Sequence, residues 1–454
     1  MFRSHPFVRW INQRSPVQIL IFFYFIAIVF STILLSLPIA FQKDVHIPFI
    51  DILFTAVSAF SVTGLSTINV AETLSTTGII FLGIILQIGA VGVMAIGTLL
   101  WIALGKKIGI RERRLIMTDQ NQTTFEGMVR LIIQIIYILL IIEFVFFLIL
   151  GFYYLRYFPT FQEAFLHSFF GTISAITNAG FDITGESLHL FNQDYFVQIV
   201  YVLLIIFGAI GFPVLIEVKE FLFAKREDRK HMRFSLFTKV TTVTFFLLVF
   251  IGTIVIYILD MNHYFASKTW HESFFNSLFQ SVTTRSAGLS TIDVSLLTEQ
   301  NQFFMSMLMF IGASPSSAGG GIRTTTFALV IIFIITYAKG GKSIRLFKRE
   351  VYEEDLLKAV TVTLMAFIFV ALSLLVTIII EPFSIMQLLF EVTSAFGTVG
   401  LSLGITGELT TFSKIILMIL MFIGRIGILT FLFSFKTRKS KGKIHYPKEK
   451  MIIG

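Results

Sequence analysis

Apolar residues predominate over twenty or more positions in eight places: Val17–Ala40, Thr77–Leu104, Val129–Phe152, Tyr195–Phe221, Leu236–Leu259, Phe303–Tyr337, Leu356–Ile380 and Phe412–Phe435. A helix needs about 20 such residues to cross a hydrocarbon core, so each run predicts a membrane span. The first follows a basic stretch, but it is too long for a signal core and lacks a small-residue cleavage site. It reads as a mature helix.

Between alternate spans lie shorter apolar stretches that cannot cross, beginning near Phe49, Thr160, Trp270 and Phe383. Each ends in a hydroxyl- or Asn-rich turn closed by glycine: Ser61-Val62-Thr63-Gly64, Thr177-Asn178-Ala179-Gly180, Thr284-Arg285-Ser286-Ala287-Gly288 and Gly397-Thr398-Val399-Gly400. Self-similarity at a fixed period marks a repeat architecture. The predicted fold is therefore an all-α polytopic membrane protein: four helix–pore-loop–helix repeats, pseudo-fourfold around one pore. The repeats are placed at 17–114, 115–234, 235–350 and 351–435, with an arm at 1–16 and a tail at 436–454.

Such turns suit a cation path. An ion leaving water needs its hydration shell replaced by oxygens, and rings of backbone carbonyls do this in potassium filters. Turning carbonyls toward an axis demands backbone angles that glycine tolerates. Non-helical chain at membrane depth is allowed only where it lines a cavity or is buried in protein. The candidate ion-binding residues are Val62, Thr63, Gly64, Asn178, Ala179, Gly180, Ser286, Ala287, Gly288, Thr398, Val399 and Gly400. The bland alternative is four exposed loops with ordinary glycine turns.

The sixth run is too long for one straight span, and its middle reads Gly312-Ala313-Ser314-Pro315-Ser316-Ser317-Ala318-Gly319-Gly320-Gly321. Pro removes a helix donor, and each Gly costs about 1 kcal/mol against Ala. The segment is expected to unwind near mid-membrane as a gate below the turns; the alternative is a kink between packed helices. Arg425 lies mid-span in the last run, where a charge normally faces a cavity or a partner. It is expected to contact this segment, with a structural helix-to-helix bond as the alternative. Arg285 is expected to brace its turn from behind against a carboxylate, Glu391 being one candidate by type. Glu143, a lone acid in the third run, suggests packing.

Composition narrows the picture. Of 454 residues, 55% are hydrophobic and 14% charged, against about a quarter charged in soluble domains. The absence of Cys excludes disulfides, thiolate metal sites and cysteine catalysis. The net charge of +9 sits in alternate connections and both ends: Arg3, Arg9, Arg14, then Lys106–Arg114, Lys219–Lys239, Lys339–Lys358 and Lys436–Lys450. That asymmetry predicts a cell-membrane protein with both termini cytoplasmic, basic residues meeting lipid headgroups, and no nucleic-acid role. No HExxH, GxSxG or nucleotide-binding P-loop occurs, so neither an intramembrane enzyme nor a nucleotide site finds support. No metal site is read beyond potassium in the filter.

The four glycine turns, Gly312–Thr326 and Met421-Phe422-Ile423-Gly424-Arg425-Ile426-Gly427 resemble the membrane subunit (KtrB/KtrD) of bacterial Ktr potassium-uptake systems, within the Trk/Ktr/HKT superfamily. The resemblance runs from the first span to His445-Tyr446-Pro447. It implies potassium uptake, a homodimer, a cytoplasmic ring of nucleotide-binding RCK subunits and, often, stimulation by Na+. It also places the filter glycines at Gly64, Gly180, Gly288 and Gly400 and the gate at Gly312–Gly321 with Arg425. Gly64 follows the potassium-preferring pattern. A sodium-coupled or less selective cation transporter on the same fold stays open, as does the choice between channel and carrier.

Overall fold

The computed structural model describes residues 14–43, 45–103, 108–119, 127–341, 343–434, 447, 449 and 451. Most of the basic N-terminal arm, Lys106 and most of the tail lie outside the described residues.

Each repeat begins with a long helix: α1 (Pro16–Leu35), α6 (Met128–Tyr154), α10 (Leu236–Asp260) and α14 (Glu353–Ile380). All four are long and apolar enough to cross a bilayer. A short helix follows in each repeat: α2 (Phe49–Ser61), α7 (Phe161–Ile176), α11 (Trp270–Thr283) and α15 (Ile385–Gly397). Their starts are encoded locally. Thr160, Thr269 and Ser384 accept the amides of Glu163, Glu272 and Gln387, which satisfies donors a helix start leaves unpaired.

The second helix of every repeat is interrupted. Expected as continuous spans in three repeats, these helices run α3 (Thr76–Val91) then α4 (Val93–Ala103), α8 (Tyr195–Ala209) then α9 (Phe212–Phe223), and α16 (Thr411–Ile426) then α17 (Ile428–Ser434). In the third repeat α12 (Glu299–Phe310) and α13 (Thr324–Ala338) flank a non-helical stretch. The breaks in the first, second and fourth repeats share one cause: Gly92, Gly211 and Gly427 sit at φ 94°, 100° and 92°, where side chains rarely go. The α8–α9 and α16–α17 pairs bend by 105° and 100°. A further helix, α5 (Ile110–Asp119), and a hairpin of β1 (Arg345–Leu346) and β2 (Arg349–Glu350) lie in the connections.

The repeats interlock cyclically. Each long first helix packs on the short helix of its own repeat, and each second helix packs on the short helix of the next. Thus α3 meets α7, α8 meets α11, α12 meets α15, and α16 returns to α2. Within the first and fourth repeats glycine lets the second helix press on its own short helix as well: a side chain on Gly89 or Gly424 would overlap the carbonyl of Phe60 or Phe396. Gln87 joins the first repeat to the second, donating to Glu143 at 2.7 Å.

Candidate functional site

The short helices end in turns that glycine and a few left-handed residues make possible. Val62, Asn178 and Thr398 adopt φ 58°, 56° and 49°, and Gly64, Gly180, Gly288 and Gly400 follow at 93°, 72°, 71° and 101°. Five residues back, the Ser58, Ser174 and Ser394 carbonyls accept the amides of Thr63, Ala179 and Val399 at 2.8–2.9 Å. The third turn differs. Its helix ends at Thr283 with Thr284 still right-handed at φ −58°, and no non-glycine residue there is left-handed.

These turns converge. A Cβ on Gly64 would lie 2.8 Å from the Gly180 Cα, and one on Gly180 would lie 2.7 Å from the Ala287 carbonyl oxygen. A Cβ on Gly288 would fall 2.9 Å from the Gly400 Cα, and one on Gly400 would fall 3.0 Å from the Gly64 Cα. Each glycine also abuts the carbonyl of the residue before the next repeat's glycine, so Thr63, Ala179, Ala287 and Val399 bring four oxygens into one ring. No side chain fits there. The ring closes on itself with the fourth repeat against the first.

The turns are held from behind. Asn178, in the amide orientation that satisfies both ends, donates to the Ile205 carbonyl at 3.3 Å and accepts from the Ala209 amide at 3.1 Å. Ser58 and Ser394 accept the amides of Gly64 and Gly400 at 3.1 and 3.0 Å. Arg285 is buried and makes no ion pair among the described residues. It donates to the Phe245 carbonyl at 2.7 Å, with its guanidinium 4.0 Å from the Phe245 ring centre. The expected pairing with Glu391 is not made, because Glu391 is committed elsewhere. It accepts from Ser402, the Leu403 amide and Thr406 at 2.5, 3.1 and 2.8 Å, fixing the segment beyond Gly400.

Pro315 and the glycine triplet leave residues 311–323 non-helical, and the segment lies across the bundle. Ser314 and Ala318 donate to the Ala209 and Gly208 carbonyls at 3.0 Å each, and Phe212 donates back to Ser316 at 2.8 Å. The loop from the third repeat thereby satisfies the backbone exposed by the break in the second. Gly319 and Gly320 press against the turns: side chains there would overlap Ser286 Oγ and crowd Thr398 Oγ1. Arg323 braces the loop internally through the Ser314 and Gly319 carbonyls. Arg425 is buried and donates to the Ala318 carbonyl, to Gly89, and to Ala90 at 2.9 Å. One guanidinium therefore joins the loop to the broken helix of the first repeat.

Gly92, Gly211 and the Arg425 contacts at Gly89 and Ala90 escaped the sequence reading. A signal was present: Gly89-Ala90-Val91-Gly92, Gly208-Ala209-Ile210-Gly211 and Gly424-Arg425-Ile426-Gly427 repeat one pattern at one place.

The sequence family described as TrkH, cation transport protein, matches residues 9–445. The chain belongs to this family. Among curated relatives, Ktr system potassium uptake protein D of Bacillus subtilis is 53% identical over 448 residues, covering 99% of each chain. Potassium/sodium uptake protein NtpJ of Enterococcus hirae is 33% identical, covering 98% of each. The crystal structure of the potassium transporter TrkH from Vibrio parahaemolyticus superposes with a TM-score of 0.68 at 18% identity, covering 91% of this chain and 84% of that one. That similarity shows the TrkH-family fold.

Proposed function

We propose that this chain is the ion-translocating membrane subunit of a Ktr-type potassium-uptake system. The observation that carries the reading is the closed ring of Gly64, Gly180, Gly288 and Gly400, set in a chain 53% identical to a relative named for potassium uptake. Carbonyls of residues 62–64, 178–180, 286–288 and 398–400 stand in for the ion's water. The α2, α7, α11 and α15 helices point their partially negative C-terminal ends at the same ring. The Gly312–Gly321 loop, clamped by Arg425, is the gate. The ion moves down its electrochemical gradient, which supplies about 2.3 kcal/mol per charge per 100 mV.

Both termini are cytoplasmic in this reading, as the basic connections require. A Ktr system implies companion subunits. We assign a cytoplasmic nucleotide-binding RCK ring as regulator and a second copy of this chain as partner. Co-purification with the soluble subunit tests the first, and cross-linking in membranes tests the second.

Gly288→Ser and Gly400→Ser are expected to abolish potassium uptake, or its preference over sodium, in a potassium-uptake-deficient cell at unchanged protein levels. Normal uptake by both would sink the filter. A sodium-linked mode is favoured by the relative named for potassium and sodium uptake. Liposome flux of potassium, with and without a sodium gradient, decides between the two modes.

A further inference from the structure

A cleft of about 470 Å3 opens on the flank between the third and fourth repeats, walled by α12, α13, α14 and α15. Its size falls in the range of about 300–1,000 Å3 typical of ligand sites, yet it offers a polar ligand nothing. Its hydroxyls are those of Ser306, Thr363 and Thr393. Each already donates to its own helix, at the Gln302, Ala359 and Leu389 carbonyls, at 2.8–3.0 Å. The remaining wall is hydrocarbon.

The rim continues into a lipid-facing surface. Met307, Ile331 and Phe367 are 54%, 40% and 67% exposed, and beyond them lie Ile334 and Leu364 at 56% and 60%. The α14 span has only 17% of its apolar window covered by protein. Bilayer hydrocarbon is thus continuous with the mouth. The inner wall reaches Ile311 and Ile322, the residues on either side of Gly312–Gly321. Ile322 is buried there and donates its amide to Phe310 at 3.4 Å.

We propose that this cleft seats one acyl chain of a membrane lipid, and that the chain props both roots of the loop at Ile311 and Ile322. The propping half rests on the gate reading above; the seat does not. An empty cleft would leave the partly buried Ile311 without contacts on one side, which packing disfavours. A chain of different length or saturation would then shift the loop without touching the ring of glycines.

The test places a reporter at Phe327 on the cleft wall and another at Ile334, on the exposed side of the same helix. Each becomes Trp in a chain whose native tryptophans are Phe. The protein is reconstituted in phosphatidylcholine–phosphatidylglycerol vesicles with brominated acyl chains. Phe327→Trp is expected to be quenched to within twofold of Ile334→Trp. An unquenched Phe327→Trp beside a quenched Ile334→Trp would overturn the seat, the cleft then being closed or covered by a second copy.

Val330→Phe, which fills the cleft, is expected to change potassium flux at least twofold with potassium-over-sodium preference retained. Ile254→Phe, in the separate apolar cleft of α10 and α11, should leave flux at the wild-type level. Should Val330→Phe fail to elute as a monodisperse species, Val330→Ala, which enlarges the seat, carries the flux measurement. Wild-type flux in the folded Val330 variants would overturn the propping. If deletion of the loop itself leaves flux unchanged, the gate reading fails while the quenching result still decides the seat.

Discussion

Lys414 Nζ lies 2.8 Å from Asp51 Oδ1, with the two side chains 8% and 13% exposed. Lys414 begins the last second helix and Asp51 the first short helix, so the pair rivets the seam where the ring closes. Removing one partner of a buried pair leaves the other uncompensated, at about 3–5 kcal/mol. Asp51→Leu and Lys414→Met should each lower the thermal unfolding temperature in detergent, and Asp51→Leu/Lys414→Met should recover most of the loss. A double variant that loses as much as the two singles together would show that the pair does not couple the repeats.

Arg425→Ala is expected to raise potassium flux several-fold in liposomes, because it cuts the tie between the Ala318 carbonyl and Gly89–Ala90. Arg425→Lys keeps the charge but loses the fork that reaches the loop and α3 at once, so its flux should fall between. Wild-type flux in the alanine variant would leave Arg425 a purely structural bond.

Two of the hinge glycines separate strain from collision. A Cβ on Gly427 meets nothing within 4 Å, whereas one on Gly211 lies 2.8 Å from the Pro315 carbonyl oxygen. Both hold positive φ, which costs a side chain about 1–3 kcal/mol. Gly427→Ala should therefore lose stability only, while Gly211→Ala should also displace the loop and change flux. Flux unaltered in Gly211→Ala would mean that the loop does not depend on this docking.

Glu391 serves three donors on the segment beyond Gly400. Glu391→Ala strands the buried Leu403 amide, at about 1–3 kcal/mol for an unpaired group, while the Ser402 and Thr406 hydroxyls keep each other at 2.9 Å. Potassium flux should fall with the glycine ring otherwise intact. Glu391→Gln, which keeps one acceptor oxygen, should lose less.

Much of this was legible because membrane spans and glycine turns are written in short-range pattern. The first helix of each repeat needed only its apolar length, and the four turns announced themselves through recurrence. Gly92, Gly211 and Gly427 were hidden because a lone glycine inside an apolar run is compatible with continuous helix; only the backbone angle distinguishes a hinge. Arg285 and Glu391 misled for a different reason. Opposite charges on neighbouring repeats suggest a pair, yet an aromatic ring and a carbonyl engage one while two hydroxyls and an amide claim the other. Residue type gives the appetite of a buried charge, and only the packing names its partner.

Because each second helix leans on the following repeat's short helix, the first short helix is left for last: its neighbour is α16, made only after all four short helices. A nascent chain on the ribosome therefore carries an incomplete circle through most of translation. Products truncated before Thr411 would hold three seams and an open fourth, a form that quality-control proteases could distinguish from the finished molecule.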